Sequence, residues 1–201
     1  KGEDFDLVDA VKICNEDKNI MRVRLGSLEP DHITDDVIDR LSAFDKLCPQ
    51  FHISLQSGCD TTLKNMNRHY TSDEYRELCD KLRGTFKDAT ITTDVMVGFN
   101  EESEEDFYKS LSFVKDIKFE KVHVFPYSQR EGTAASKKGD SVSKTEKERR
   151  ASIMIDECEK IRSEYFESLI GKEFKVLFEN EIEKGIYQGY TKNYVPVRIK
   201  S

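Results

Sequence analysis

The chain has 201 residues, of which 37% are hydrophobic and 35% are charged, and its formal net charge is −7. This length suits one larger domain with a small appendage, and twelve Phe and eight Tyr residues supply enough apolar surface for a core. The sequence has no run of 18 apolar residues, so we expect no membrane partner, and the acidic balance argues mildly against a basic nucleic-acid-binding patch.

The first two thirds of the chain alternate between strand-like and helical segments. Strands are predicted over residues 21–25, 51–55, 90–97 and 121–125, and helices over 33–44, 60–66, 72–84 and onward from a cap at Ser103. Thr34 and Thr71 are the other predicted N-caps. The strands begin about 30 to 40 residues apart, a spacing that predicts an α/β fold with a parallel sheet. Four strands are too few for a closed barrel.

The last third of the chain has a different pattern. A polar loop over 128–143 precedes a long helix, with a capping box predicted at Ser143 and Glu146 and a stop at Gly171. Helical spacing places Arg150 on a solvated face, paired with Glu146. Residues 172–178, 185–190 and 194–199 then alternate like three short strands. We therefore divide the chain into an α/β unit (1–136), a connecting loop and helix (137–171) and a β-module (172–201).

Polar side chains follow the predicted strands, where ligands of parallel α/β folds bind. They comprise acceptors, amides and cations: Glu29, Asp94, Glu101, Gln56, Asn100, Arg68 and Arg130. Such a set suits a ligand with ribose hydroxyls, an ammonium group and a carboxylate. Each residue could instead cap a turn, and His52 and His123, within strands, could be core histidines. No catalytic-triad spacing, phosphate-binding loop or HExxH motif is present.

The cysteines at positions 14, 48, 59, 79 and 158 lack the short spacing of a zinc or iron–sulfur motif. An odd number of cysteines without a secretory signal is typical of reduced thiols, so we expect a cytoplasmic protein with small buried cysteines. Lys rather than Met at position 1 leads us to expect a piece of a longer protein.

Four segments, RVRLGSLEP (22–30), FHISLQSGCDTTLKNMNRHYT (51–71), TTDVMVGFNEESEEDF (92–107) and HVFPYSQREGTAA (123–135), resemble the radical SAM methylthiotransferase family in order and spacing. GYTKNYVPV (189–197) resembles the beginning of the RNA-binding TRAM module that ends those enzymes. The resemblance implies the C-terminal part of a TIM-like radical SAM barrel, with four parallel strands, followed by an incomplete TRAM-like β-module. KLCPQFH, MNRHYT and HVFPYSQREGT are most similar to the threonylcarbamoyladenosine tRNA branch. The isopentenyladenosine tRNA branch, the ribosomal-protein branch and a non-catalytic RNA-binding fragment remain alternatives.

The resemblance also implies a reaction. Such enzymes use S-adenosyl-L-methionine and two [4Fe–4S] clusters to add a methylthio group to C2 of an adenosine next to the tRNA anticodon, so the anticodon stem-loop is the implied partner. One cluster binds to a CxxxCxxC motif, which this chain lacks. We therefore expect no metal ligand, no catalytic residue and no activity in this chain alone.

Residue by residue, the resemblance assigns two groups. The cofactor-binding positions are Ser27, Glu29, Gln56, Arg68, Asp94, Met96, Gly98 and Glu101, with Met96 as the apolar contact to adenine. The substrate-binding positions are Tyr127, Arg130, Lys175, Lys192 and Arg198. Because the first barrel strands are absent, the strand over 21–25 would have an unpaired edge. We expect self-association through this edge, or residues 1–20 folded back over it.

Overall fold

The computed structural model describes residues 5–137 and 139–201. The helices are α1 (Leu7–Glu16), α2 (Asp35–Leu41), α3 (Asp60–Asn65), α4 (Ser72–Thr85), α5 (Glu104–Ile117), α6 (Ala134–Lys137) and α7 (Lys144–Glu167), with a 3₁₀ turn at Pro30–His32. The strands are β1 (Ser27–Leu28), β2 (Gln50–Ile53), β3 (Thr90–Val97), β4 (Lys121–Pro126), β5 (Val176–Glu183), β6 (Ile186–Thr191) and β7 (Pro196–Lys200). In the described part of the chain no helix is long and apolar enough to cross a membrane.

Strands β1 to β4 form one parallel sheet in chain order, which confirms the α/β prediction. Because side chains alternate across a strand, the sheet has two different faces. The apolar side chains of one face, including Phe51, Ile53, Ile91 and Val95, are buried against the helices. The other face, called here the inner face, carries Gln50 and other polar side chains. The sheet is therefore a partial barrel wall with a polar inner face.

Helix caps explain where several helices begin. Thr34 accepts a hydrogen bond from the Val37 amide, and Thr71 and Ser103 both form complete capping boxes, as predicted for Thr71. The capping box predicted at Ser143 is wrong. Ser143 does accept from the Glu146 amide, but the Glu146 carboxylate pairs with Arg149 and Arg150 instead of turning back to the cap.

The strand predicted over residues 21–25 is also wrong. Only Val23 forms an isolated bridge, with Leu47, and the first strand lies at Ser27–Leu28. The reason is that residues before Gly26 contact neighbours other than β2. Leu25 is buried in a cluster with Val8 of α1, a helix that the sequence pattern did not predict. The helix predicted over 33–44 is likewise shorter, since α2 ends at Leu41.

Helix α1 bears on the prediction that residues 1–20 fold back. Val8 and Val11 of α1 are buried with Leu25, Leu41 and Leu47, so this helix covers the apolar surface beside the first strand. Residues 1–4 lie outside the described residues. Self-association through the sheet edge remains a prediction.

The β-module is a three-stranded antiparallel sheet of order β5-β6-β7. It contacts the α/β unit at the amino-terminal ends of the parallel strands. Arg22 donates to the carbonyls of Tyr190 and Thr191, and the Thr90 hydroxyl donates to the Asn193 carbonyl at 2.7 Å. The module therefore lies at the end of the sheet opposite the carboxyl ends of the strands.

Candidate functional site

A cavity of about 530 Å³, called here the upper cavity, opens at the carboxyl ends of β3 and β4. It is lined by Gln56, Asp94, Met96, Phe125, Pro126, Tyr127, Ser128, Arg130, Thr133 and Ala135. A carboxylate, an amide, a guanidinium, a phenol and apolar side chains thus converge where ligands of parallel α/β folds bind. This composition can hydrogen-bond ribose hydroxyls or base edges and can pack against a flat ring.

Backbone pairing between Gln56 and β3 fixes the positions of three residues that line this cavity, Gln56, Asp94 and Met96. The Gln56 amide donates to the Asp94 carbonyl, and the Gln56 carbonyl accepts from the Met96 amide, so pairing continues beyond the end of β2. Gln56 has a φ of 67°, a left-handed conformation that is uncommon for a residue other than glycine. The two backbone hydrogen bonds hold Gln56 next to Asp94 despite this strain.

The turn after β3 is fixed by a buried ion pair. The Gly98 amide donates to Glu102 Oε1 at 2.9 Å, and Arg150 Nη1 lies 2.7 Å from the same oxygen. Burial raises the pKa of Glu102, although the Gly98 amide and the Arg150 guanidinium act in the opposite direction. The prediction that Arg150 lies on a solvated face is therefore wrong, because helix α7 packs its first turns against this turn.

Gly98 itself needs to be glycine. It has a φ of +70°, and a Cβ placed on it would overlap Cγ of the buried Lys147 side chain. The Lys147 ammonium is 2.7 Å from Asp140 Oδ1 and lies over the Tyr127 ring. Helix α7 therefore connects the turn after β3 with the loop that borders the cavity.

The loop after β4 is anchored at its far end. Asn100 accepts a hydrogen bond from the Ser141 amide, and the Ser141 hydroxyl accepts one from the Glu101 amide. Tyr127, at the loop's start, packs edge-on against Phe99. The Tyr127 hydroxyl is buried and has no hydrogen-bond partner among the described residues, so its ring rather than its hydroxyl borders the cavity.

The structure brings together five of the residues that the sequence singled out. Gln56, Asp94 and Met96, assigned to a cofactor, line the same cavity as Tyr127 and Arg130, assigned to a substrate. Some members of each predicted group therefore line the same cavity.

The other assigned residues lie elsewhere. Arg68 and Glu29 form an ion pair with each other at 2.8 Å. Gly98 and Glu101 belong to the turn after β3, and Ser27 lines a separate cavity.

The three basic residues assigned in the β-module are remote from the upper cavity. Lys192 donates from Nζ to the Asp45 carbonyl, and Arg198 donates to Gln188 within the module's own sheet. The Lys175 carbonyl accepts a hydrogen bond from Arg22. The contacts of Lys192 and Lys175 join the module to the amino-terminal end of the α/β unit. The three residues would therefore meet a ligand different from one in the upper cavity.

A second cavity of about 320 Å³, called here the lower cavity, lies between the inner face and the β-module. Gln50, His52, Thr92 and His123 line it, together with Tyr194 of the module. Burial lowers the pKa of His123, and the nearby Lys121 ammonium acts in the same direction. These residues are not close together in the sequence, although alternation along β2 and β3 places positions 50, 52, 92 and 94 on one face.

Of the two kinds of cofactor that the family resemblance implies, the described residues of this chain fit S-adenosyl-L-methionine but not an iron–sulfur cluster. The described residues contain no group of three His, Cys, Asp or Glu side chains that could hold a metal ion, and burial raises the pKa of the Cys79 and Cys158 thiols to about 12. These residues therefore do not fit an iron–sulfur cluster. The upper cavity does fit the adenosyl part of S-adenosyl-L-methionine, because it offers the Asp94 carboxylate and the Gln56 amide for hydrogen bonds and apolar Met96 for packing.

Comparison with known proteins identifies the class. The model of the radical SAM superfamily matches residues 2–114, so the chain belongs to that superfamily. Among curated proteins the chain is similar to the threonylcarbamoyladenosine tRNA methylthiotransferase MtaB of Thermotoga maritima, with 36% identity over 94% of this chain and 44% of that protein. It is also similar to the tRNA-2-methylthio-N(6)-dimethylallyladenosine synthase of Endomicrobium trichonymphae, with 38% identity over 95% of this chain and 46% of that protein. The chain thus spans somewhat less than half the length of these relatives.

Solved structures support the fold. Coproporphyrinogen III oxidase from Escherichia coli, described as a radical SAM enzyme, aligns with a TM-score of 0.59 at 19% identity and covers 70% of this chain and 32% of its own. The archaeal Elp3 of Methanocaldococcus infernus aligns with a TM-score of 0.51 at 14% identity over 98% of this chain and 61% of its own. At these identities the likeness concerns the fold alone.

Proposed function

We propose that this chain is part of a tRNA methylthiotransferase that adds a methylthio group to C2 of N6-threonylcarbamoyladenosine next to the anticodon. The observation that carries the proposal is the 36% identity to a protein named for that activity, which extends over 94% of the chain. Methylthio transfer to the dimethylallyl-type base is the second candidate, favoured by the 38% identity to a synthase of that name. The anticodon stem-loop would be the part of the substrate tRNA that the enzyme binds.

In this proposal the chain's own residues form one wall of the ligand site. Gln56 and Asp94 hydrogen-bond ribose hydroxyls or base edges, and Met96 packs against adenine. Tyr127 and Arg130, across the cavity, contact the adenosine to be modified. S-adenosyl-L-methionine together with an iron–sulfur cluster that reduces it would supply the radical chemistry when both are bound, while these residues orient the reacting groups and exclude water.

The cluster cysteines are assigned to sequence outside this chain. We expect the 201-residue chain alone to bind no iron and to lack methylthiotransferase activity, because its cysteines are buried or dispersed. Anaerobic reconstitution with iron and sulfide should leave its visible spectrum featureless. The TRAM assignment of the β-module, the division at residues 136 and 171 and a cytoplasmic location remain predictions.

The test is the nucleoside composition of tRNA. The gene that encodes this chain, with its flanking coding sequence, would be expressed in a bacterium that lacks both methylthiotransferases, and digested tRNA would be examined by mass spectrometry. The proposal predicts methylthiolated threonylcarbamoyladenosine without methylthiolated dimethylallyladenosine. The reverse result would select the second candidate, and absence of both nucleosides would overturn the proposal.

A further inference from the structure

A row of hydrogen-bonded side chains crosses the inner face from the lower cavity to the upper cavity. Gln50 Nε2 lies 3.0 Å from Thr92 Oγ1, and Thr92 Oγ1 lies 3.0 Å from His52 Nδ1. His52 Nε2 in turn lies 3.3 Å from Asp94 Oδ2. These four residues are called here the inner-face relay.

When the His52 ring is neutral, the donor and acceptor groups of the relay allow only one direction for its hydrogen bonds. The Asp94 carboxylate can only accept, so the ring proton is on Nε2 and Nδ1 is an acceptor. The Thr92 hydroxyl then donates to Nδ1, and its oxygen accepts from the Gln50 amide nitrogen, which can only donate. The relay therefore selects the Nε2–H tautomer of His52 and directs that proton at Asp94.

The relay leaves a buried polar atom without a partner, although the carboxylate that it holds is partly exposed. Gln50 is 5% exposed, and its Oε1 has no partner among the described residues because the amide nitrogen is directed at Thr92. The Asp94 side chain, by contrast, is 30% exposed and lines the upper cavity. A partly exposed pair of this kind contributes little to folding stability. The arrangement is better explained by the need to orient Asp94.

We propose that His52 is a positioning residue of the upper cavity. Held as the Nε2–H tautomer by the Asp94 carboxylate and the Thr92 hydroxyl together, it fixes Asp94 Oδ2 and leaves Oδ1 to accept a hydrogen bond from a nucleoside, through a ribose hydroxyl or a base amino group. The described residues make no hydrogen bond to Asp94 Oδ1, since His52 contacts Oδ2. The inference rests on the proposed function for the nature of the ligand, but the tautomer of His52 can be measured without any ligand.

The first experiment measures the His52 tautomer in the full 201-residue chain by long-range ¹H–¹⁵N NMR. The neutral ring should carry its proton on Nε2 in the wild type and in Thr92→Ser. Thr92→Val, which keeps the side-chain shape and removes the hydroxyl donor to Nδ1, should raise the minor Nδ1–H fraction measurably, while Asp94 keeps Nε2–H the major form. A ring protonated on Nδ1 in the wild type, or a Thr92→Val variant identical to the wild type, would overturn the positioning role.

The second experiment measures adenosine binding by NMR titration of the same chain. His52→Leu removes the donor, whereas His52→Gln retains a side-chain N–H near the Nε2 position. His52→Leu should weaken adenosine binding by about three- to tenfold, His52→Gln by less, and Asp94→Asn by at least as much as His52→Leu. In the double variant His52→Leu/Asp94→Asn the two losses should not add, because both remove one interaction.

The outcomes test the role of His52 and the ligand site separately. Equal affinities of His52→Leu and the wild type, beside a clear loss in Asp94→Asn, would overturn the role of His52 and leave the proposed ligand site standing. If adenosine does not bind the wild type even at millimolar concentration, the nucleoside assignment fails, and with it the ligand clause of this inference. The tautomer measurement then decides whether His52 is ordered by Thr92.

Discussion

Replacing Arg150 with Met should destabilise the chain by about 3–5 kcal/mol, because removing one partner of a buried ion pair leaves an uncompensated charge. The Arg150 and Glu102 side chains are only 6% and 2% exposed. Arg150 Nη1 also donates to the Glu102 carbonyl at 3.0 Å. After the substitution the Gly98 amide is the one described donor left to the Glu102 carboxylate. Met retains much of the aliphatic volume, so cavity formation contributes little.

The size of this loss should depend on pH. Burial already raises the pKa of Glu102 above the ordinary 4.5, and loss of Arg150 should raise it further. A raised folded-state pKa contributes stability below the unfolded value, and that stability disappears as the pH rises through the folded-state value. The Met variant should therefore lose less stability, relative to the wild type, at about pH 5 than at about pH 8.

Urea denaturation followed by circular dichroism at both pH values measures the effect. Arg149→Met is the matched control, because Arg149 is the neighbouring residue and forms its ion pairs with Glu104 and Glu146 at the surface. The control should shift the midpoint only slightly. A loss of less than about 1 kcal/mol in Arg150→Met, or an equal loss at both pH values, would refute this account of the buried pair.

Three further predictions concern separate parts of the molecule. Gly189→Ala should destabilise the β-module by more than about 2 kcal/mol, since a Cβ there would overlap the Leu177 carbonyl oxygen, whereas Gly26→Ala meets no atom within 4 Å and should be tolerated; equal melting temperatures would contradict this. Tyr127→Phe removes a buried hydroxyl without a partner and should leave stability unchanged or raise it by up to about 1 kcal/mol in thermal unfolding, so a clear loss would show that the hydroxyl has a partner. NMR titration should give His123 a pKa below the ordinary 6.5, so its burial opposes folding increasingly as the pH falls through that value; a raised pKa would argue against burial.

Local sequence patterns predicted the strands that are buried on the helix-facing side. Thr90–Val97 was predicted with its observed bounds, because its run of apolar and β-branched residues ends at Gly98. The caps at Thr71 and Ser103 were also predicted, since a capping residue and its amide partner are three positions apart in the chain. These features depend on neighbours in sequence.

Features that depend on distant neighbours could not be predicted in this way. Residues 21–25 alternate like a strand, yet tertiary contacts with α1 and the β-module decide their conformation. Arg150 has the helical spacing of a surface residue, and only the approach of the turn after β3 buries it with Glu102. The link from Thr92 to His52 joins different strands, so strand register had to be known before it could be seen.

The central claim is that the carboxyl ends of β3 and β4 form the nucleoside site of a radical SAM enzyme. The most direct measurement is a ¹H–¹⁵N NMR titration of the chain with adenosine, compared with a titration with uridine. The account predicts amide shift changes concentrated at Gln56, at residues 94–96 and at residues 127–130, with weaker changes for uridine. Changes centred on the β-module, or no changes at any position, would contradict it.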